Sequence, residues 1–282
     1  MAYKRQHFVP VVYLRNWSTD PKRRNRRSKI WRYQIDRHTS VEVRAEIEGC
    51  EEYFYSRFAA EYAERSFHEM ENDYGLISDS IISGATADSP REQLQWLLIA
   101  TDLFVRNAVH SNETAAENYD AYRQRSIMFM KQLSGLEETT DMQEICDKLV
   151  EEWKIHFLRL NATPETHLIT SDVPCFPLQL MGPKQHCFYM PVAPSVAIIA
   201  SKNDVQVDDS RLTEKDVTFL NQAVVVNAQN ALYSDTDVAA ENGFGRIVDK
   251  WRTRTARLSS TWDGRTWDIV GPNYTIRPDF LG

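Results

Sequence analysis

The hydrophobic period changes twice along this chain of 282 residues, and this change most constrains its fold. Residues 1–56 and 162–282 contain alternating apolar and polar runs, which are typical of strands, whereas residues 57–161 repeat apolar residues at helical spacing. Each strand-rich zone alone has too few strands to bury both faces of a sheet. We therefore predict one α+β domain of two lobes, residues 1–282. A mixed or antiparallel sheet from the N- and C-terminal zones is covered by the central helical region.

Local signals place the individual elements. Pro10 suits the first turn of a short helix, where its missing N–H would be unpaired anyway. Ser89-Pro90 followed by Glu92 gives a cap, a first-turn proline and an acidic first turn for a long helix, and Thr213 caps a later one. The predicted helices are 10–17, one that starts at 90, 142–160 and 214–232. The predicted strands are 28–35, 40–47, 166–171, 186–192, 195–200 and a final hairpin that contains Trp262 and Trp267.

Charge is distributed unevenly along the chain. Residues 1–45 carry 12 Lys or Arg against 3 Asp or Glu, a balance of +9. Since the net charge is −7, the remaining residues carry −16. Six cations, Lys22, Arg23, Arg24, Arg26, Arg27 and Lys29, fall in one predicted loop. Such a loop can contact the phosphates of a nucleic acid or nucleotide. The alternative is a solvated loop that pairs with Glu46, Glu48, Glu51 and Glu52.

The sequence contains no apolar run of the roughly 20 residues that a bilayer requires and no signal peptide, so we expect a cytoplasmic protein without membrane contact. Cys50, Cys146, Cys175 and Cys187 are scattered, without C-x-x-C or zinc-type His spacing, and are expected to be buried free thiols. No metal site is predicted, and the pattern specifies neither a cofactor nor an oligomeric state. Gly-rich phosphate loops, G-x-S-x-G and H-E-x-x-H are also absent from the sequence.

The segment HFVPVVYLRNW, residues 7–17, resembles the opening motif of the bacterial family called domain of unknown function 4238. TSDVP at 170–174 is similar to the family's T-S-D-x-P block, and PVAPS at 191–195 to its P-x-[SA]-P-x turn. The other matching positions are Tyr53, Phe54, Tyr55, Arg106, Asn221 and Asn227. The resemblance covers about residues 5–235. It departs at Val173, where the family frequently has Asn. Because some members are associated with defence against phages, the resemblance implies an antiviral role.

Three polar residues are the main candidates for chemistry. His7 precedes a helix N-terminus, where unpaired N–H groups favour a neutral imidazole that can act as a general base. Its alternative role is to cap the helix or to join Asn16 and Arg15 in a polar network. Asp172 ends a strand before Pro174, so it can orient His7, bind a metal ion or accept backbone N–H groups in a turn. We treat His7 and Asp172 as the candidate catalytic residues.

Arg106 lies on an apolar helix stripe and therefore needs an anionic partner. That partner is either a ligand phosphate or carboxylate, or a carboxylate of the chain such as Asp172. His110 lies one turn further and would approach the same place. The candidate binding residues are Arg106, His110, Asn16, Arg15, Arg23, Arg24, Arg26 and Arg27. Another acidic set, Glu69, Glu71, Asp73 and Asp79, is interpreted as a solvated helix face.

Two functions of different classes follow from these features. The first is a defence-associated hydrolase of nucleic acid or a nucleotide, in which His7, Asp172 and Arg106 converge in one site. The second is a non-catalytic binding or sensor protein of an antiphage system. In that case a protein partner would meet aromatic surface from Trp17, Tyr53 and Phe54.

Overall fold

Two four-stranded antiparallel sheets and seven α-helices form the described part of the computed structural model, which is an α+β fold. The structure describes residues 5–52, 60–86, 89–110, 119–136, 138–139, 141–161, 163, 166–179, 186–202, 211–240, 243–254, 259–262 and 267–270. The helices are α1 Val11–Leu14, α2 Ala60–Ile82, α3 Pro90–His110, α4 Tyr119–Ser134, α5 Met142–Glu152, α6 Glu214–Asn227 and α7 Phe244–Arg254. Short 3-10 helices cover Arg15–Trp17, Ala45–Ile47 and Val238–Ala240.

The strands are β1 Arg5–His7, β2 Lys29–Gln34, β3 Thr39–Arg44, β4 Cys50–Glu52, β5 Trp153–Arg159, β6 Thr170–Ser171, β7 Phe176–Gln179, β8 His186–Ala193, β9 Val196–Lys202, β10 Ala231–Ser234, β11 Ser259–Trp262 and β12 Trp267–Val270. β1 pairs with β4, and β11 pairs with β12, as two separate ribbons.

The first large sheet joins the two strand-rich zones. Its order is β3-β2-β10-β6, so an N-terminal hairpin pairs with two C-terminal strands. Trp31 lies opposite Ser234 across the β2/β10 pair, and Leu232 lies opposite Ser171 across β10/β6. The expectation that both zones share a sheet is confirmed. α7 packs on this sheet, since the ring centroids of Phe244 and Tyr33 are 5.0 Å apart.

The second large sheet has the order β5-β9-β8-β7 and is covered by the helices. Phe188 of β8 is surrounded by rings, with centroids 5.7 Å from Phe104 of α3, 5.7 Å from Phe129 of α4 and 5.8 Å from Trp153. These side chains are buried, so the main helix-to-sheet core lies here. The predicted α+β fold is confirmed, and the central helices cover this second sheet rather than the shared one.

Two predicted helices end earlier than expected. The helix predicted over 142–160 ends at Glu152, because Trp153 is already extended at φ −115° and begins β5. The zone 57–161 is thus not helical throughout. The helix predicted over 214–232 ends at Asn227, and the chain continues into β10. Of the predicted strand 166–171, only Thr170–Ser171 is a strand.

The predicted helix starts are confirmed by their caps. Ser89 Oγ and the Glu92 carboxylate form reciprocal hydrogen bonds, with Glu92 N–H donating to Ser89 Oγ at 3.2 Å and Ser89 N–H donating to Glu92 Oε2 at 3.2 Å. Thr213 and Asp216 form the same capping box at α6. The predicted hairpins are confirmed as β2/β3 and β11/β12. In the turn of β2/β3, His38 adopts a positive φ of 50°.

Among the described residues, no helix combines the length and apolar character needed to cross a membrane. The four cysteines are free, but only Cys175 and Cys187 are buried, whereas Cys50 and Cys146 are partly exposed.

Candidate functional site

The first helix is joined to both large sheets by one buried tyrosine. Pro10 precedes α1 with an extended ψ of 138°, and Tyr13 of this helix is fully buried. The Tyr13 hydroxyl donates to the Pro191 carbonyl oxygen at 2.6 Å and lies 2.5 Å from Thr170 Oγ1. Pro191 belongs to β8 and Thr170 to β6, so one phenol links α1 to strands of both sheets.

Asn16 and Arg15 extend this joint to α2. Asn16 Nδ2 donates to the Val192 carbonyl at 3.2 Å and to the Tyr74 hydroxyl at 3.4 Å, and the residue is only 4% exposed. Arg15 pairs with Asp79 at 2.9 Å. α1 lies so close to α2 that a Cβ on Gly75 would come within 2.9 Å of Val12 Cγ2 and 3.3 Å of Arg15 Nη2. The described partners of these two candidate binding residues are therefore groups of the chain itself.

The hydroxyl and thiol groups of this joint are held neutral. Burial raises the pKa of Tyr13, of Tyr74 and of the Cys175 thiol, with nearby tyrosines adding to the effect at Tyr13. A neutral phenol donates hydrogen bonds but does not act as a base near neutral pH. We interpret the joint as architectural.

His7 lies in β1, opposite Cys50 of β4, and is partly buried. Its Nε2 is 3.2 Å from the Glu46 carbonyl oxygen. A carbonyl only accepts hydrogen bonds, so this contact requires a proton on Nε2 and leaves Nδ1 as the basic nitrogen of the neutral ring.

Asp172 holds the connection between α6 and β10. Its carboxylate accepts the backbone N–H of Gln229 at 2.9 Å, of Asn230 at 2.7 Å and of Ala231 at 3.3 Å. Its own N–H donates to the Ala231 carbonyl at 3.1 Å. Among the roles considered for Asp172, acceptance of backbone N–H groups is the one seen, although these groups come from a distant segment rather than from its own turn.

Arg106 is fully buried between two carboxylates. Its Nη1 donates to Glu71 Oε1 at 3.1 Å, and its Nε donates to Asp102 Oδ2 at 3.0 Å. Tyr122 donates to the other Asp102 oxygen. Burial raises the pKa of Glu71 and Asp102, and the charge of Arg106 opposes this rise. The network joins α2, α3 and α4, so the interpretation of Glu71 as part of a solvated face is wrong.

The described partners of the three main candidates belong to different elements. His7 contacts Glu46, and Arg106 contacts Glu71 and Asp102. Asp172 accepts hydrogen bonds from the backbone of residues 229–231. Convergence of His7, Arg106 and Asp172 in one pocket stays a prediction. His110 ends α3, but its side chain lies outside the described residues, as do Tyr53, Phe54 and Tyr55.

The loop of residues 20–28, here named the basic loop, has a fixed backbone. Thr19 N–H donates to the Lys29 carbonyl at 2.8 Å and closes the loop where β2 begins. The buried Ser28 accepts the Asn25 N–H at 2.7 Å and donates to the Arg23 carbonyl at 2.5 Å. The loop is therefore held by its own polar groups and by the sheet.

The cations of the basic loop point to solvent. Lys22, Arg23, Arg26 and Arg27 are exposed. Arg23 lies 3.7 Å from the exposed Asp20, whereas Lys22, Arg26 and Arg27 form no ion pair with any described residue. Arg24 differs, because it is half-buried and 3.7 Å from Asp79.

The described carboxylates of the acidic run, Glu46 and Glu48, pair with cations of the strands rather than with the basic loop. Glu48 is buried and binds Arg32 at 3.0 Å, while Glu46 lies 3.6 Å from Arg44. Burial raises the pKa of Glu48, against the opposing charge of Arg32. The side chains of Glu51 and Glu52 lie outside the described residues.

Burial decides one further sequence expectation. Trp17 is fully buried, so it supplies no surface to a partner, and that expectation is wrong. In the part of the chain that the structure describes, no three His, Cys, Asp or Glu side chains form a group able to hold a metal ion.

The geometry thus defines an α+β protein with a buried polar joint at its first helix and an exposed, rigid cationic loop. A family model described as "Protein of unknown function (DUF4238)" matches residues 5–237, and the protein belongs to this family. Neither the curated proteins nor the solved structures include a significant match to the chain.

Proposed function

We propose that this protein binds nucleic acid through the basic loop, as a non-catalytic binding or sensor component of a bacterial defence against phages. The observation that carries the proposal is the exposure of Lys22, Arg26 and Arg27, without ion pairs in the described chain, on a hydrogen-bonded loop. The defence role rests on the family resemblance of the sequence.

The physical basis is counterion release. Phosphates that meet exposed Lys and Arg side chains displace condensed counterions, and this supplies most of the affinity of sequence-independent binding. A loop whose backbone is already fixed loses less conformational entropy on binding. The rest of the chain is strongly acidic, with −16 outside residues 1–45, so it repels a polyanion and directs it to the loop.

The described contacts support binding better than hydrolysis. A hydrolase would use Asp172 and Arg106 on a substrate, a metal ion or His7. Instead, Asp172 accepts three backbone N–H groups, and Arg106 is fully buried between Glu71 and Asp102. Removing such groups from their partners carries a large desolvation cost.

A charge-matched pair of variants tests the proposal. The loop variant carries Lys22→Ala, Arg26→Ala and Arg27→Ala, and it spares Arg23 and Arg24 because of their contacts with Asp20 and Asp79. The control variant removes three exposed cations elsewhere, through Arg91→Ala, Arg123→Ala and Lys154→Ala. Both variants change the net charge by the same amount.

Fluorescence anisotropy would follow binding of a labelled strand of about 16 nucleotides, the upper site size of common single-strand binding folds. We expect the wild-type protein and the control variant to bind at low salt and the loop variant to bind at least tenfold more weakly. Equal binding by both variants, or no binding by the wild-type protein to DNA or RNA, would contradict the proposal.

A further inference from the structure

One tryptophan of the first sheet differs from the other described tryptophans. Trp17, Trp96 and Trp153 are buried, and Trp251 packs against the hydrophobic core. Trp31 is only partly buried, and among the described side chains it is not one that packs on that core. A partly exposed indole can offer its ring to a ligand while its other atoms pack on the sheet.

The strand places Trp31 beside the basic loop. Ile30 is fully buried on one face of β2, so Trp31 lies on the opposite face, between the exposed Lys29 and the buried Tyr33 on which α7 packs. In the register of β2 and β3, Lys29 lies opposite Arg44, and Trp31 lies opposite Glu42. Lys29 begins β2 where the basic loop ends. Two residues along a strand span about 7 Å, so Trp31 lies about that far from the end of the loop.

Two exposed cations lie near Trp31, each paired with a carboxylate of the chain. Lys29 and Arg44 are exposed on the same face, at the end of the strands nearest the basic loop. The carboxylate of Glu42, directly across from Trp31, is held by Lys29 Nζ at 2.5 Å and by Thr19 Oγ1 at 3.4 Å. The negative charge nearest the indole is thus already paired.

We propose that Trp31 is a stacking platform for an unpaired nucleobase, so that the nucleic acid bound by the basic loop is single-stranded. The inference rests on the proposed function and names its substrate class. A nucleobase stacks on an aromatic ring whatever its identity, because every base has a π-face, while cations beside the ring hold the phosphates. The base faces of a duplex are already covered by their neighbours and do not reach the ring.

Three ligands of equal length distinguish stacking from charge alone: a DNA single strand, the same strand with abasic sites, and a duplex. The wild-type protein is expected to bind the single strand about tenfold more tightly than the abasic strand, in line with the contribution of one stacked base. The variants Trp31→Ala and Trp31→Phe complete the design. Alanine removes the ring, and phenylalanine keeps an aromatic face.

Trp31→Ala should lose about tenfold in affinity for the single strand and none for the abasic strand, and Trp31→Phe should restore most of the loss. If the wild-type protein binds the duplex and the abasic strand as tightly as the normal strand, the inference fails, even if Trp31→Ala impairs folding. If the loop variant loses binding while Trp31→Ala keeps it, this inference fails alone. If the wild-type protein binds no nucleic acid, the proposed function fails with it.

Discussion

The hydroxyl of Tyr13 and the Oγ1 of Thr170 are 2.5 Å apart although the residues are separated by 157 positions. Tyr13 belongs to the HFVPVVYLRNW segment and Thr170 to TSDVP, and the same phenol donates to Pro191 of PVAPS. The three segments that carry the family resemblance therefore meet at one buried joint. They stand far apart in the sequence but serve one structural purpose.

Tyr13→Phe should destabilise the protein, because it removes a buried donor and leaves the Pro191 carbonyl and Thr170 hydroxyl without it. We expect a loss of about 1–3 kcal/mol in the free energy of unfolding, measured by urea denaturation. A double-mutant cycle with Thr170→Val isolates the direct contact and should give a coupling of at least about 0.5 kcal/mol. Strict additivity of the two substitutions would show that the hydroxyls do not interact.

Arg106→Met should cost about 3–5 kcal/mol, because Glu71 and Asp102 lose the cation between them. Arg123→Ala, at an exposed position of α4, is the matched control and should stay within about 0.5 kcal/mol of wild type. An unchanged melting temperature for Arg106→Met would show that the ion network is not structural.

The loss of folding stability caused by Arg106→Met should also depend on pH. Burial raises the pKa of Glu71 and Asp102 above their values in the unfolded chain. A raised carboxyl pKa contributes stability below the unfolded value, near pH 4, and that contribution is lost as the pH rises through the folded value. Without Arg106 both pKa values rise further. The difference from wild type should therefore be largest at neutral pH and shrink on acidification, as followed by denaturation at several pH values.

Asp172→Ala should destabilise by about 3 kcal/mol, because three backbone N–H groups at 229–231 lose a charged acceptor. Asp172→Asn keeps one acceptor oxygen and should lose less. Nucleic-acid binding per folded molecule should be unchanged in both variants. A variant that keeps its stability but loses a measured hydrolysis would instead identify Asp172 as catalytic.

Gly245→Ala tests the contact between α7 and the β2/β3 turn. An added Cβ would lie 3.1 Å from His38 Nδ1 and 3.3 Å from the Tyr33 hydroxyl, which are themselves hydrogen-bonded at 2.8 Å. Crowding should cost about 1–3 kcal/mol in the wild-type background. In a His38→Ala background the same change should stabilise by up to about 1 kcal/mol, because alanine favours the helix. The same effect in both backgrounds would exclude the contact.

Local sequence signals predicted much of the secondary structure. The β2/β3 hairpin, the Ser89 and Thr213 caps and the short first helix were all readable, because alternation, caps and proline act within a few residues. The end of α5 at Trp153 was not predictable, since the apolar residues of 142–160 fit a helix and a strand equally. Tertiary packing decided it: Ile155 and Leu158 are buried in the second sheet.

The candidate site was less predictable because its partners are distant in sequence. Because Arg106 lies on an apolar stripe of its helix, the sequence indicated that it needs an anionic partner. The spacing of four residues on the same helix could have identified Asp102 as that partner. Glu71, on another helix, gave no such signal. Tyr13 drew no attention because nothing local pairs it with Thr170. Trp31 was missed because alternation alone does not say how far each face of β2 is covered.

The central claim is that the exposed cations of the basic loop bind the phosphates of a nucleic acid. The most direct measurement is the slope of the logarithm of the association constant against the logarithm of salt concentration, for the wild-type protein, the loop variant and the charge-matched control. Each phosphate contact contributes about −0.7 to the slope for a single strand. We predict that the loop variant reduces the slope magnitude by about 2, for three lost contacts, while the control keeps the wild-type slope. Equal slopes for all three proteins would contradict the account.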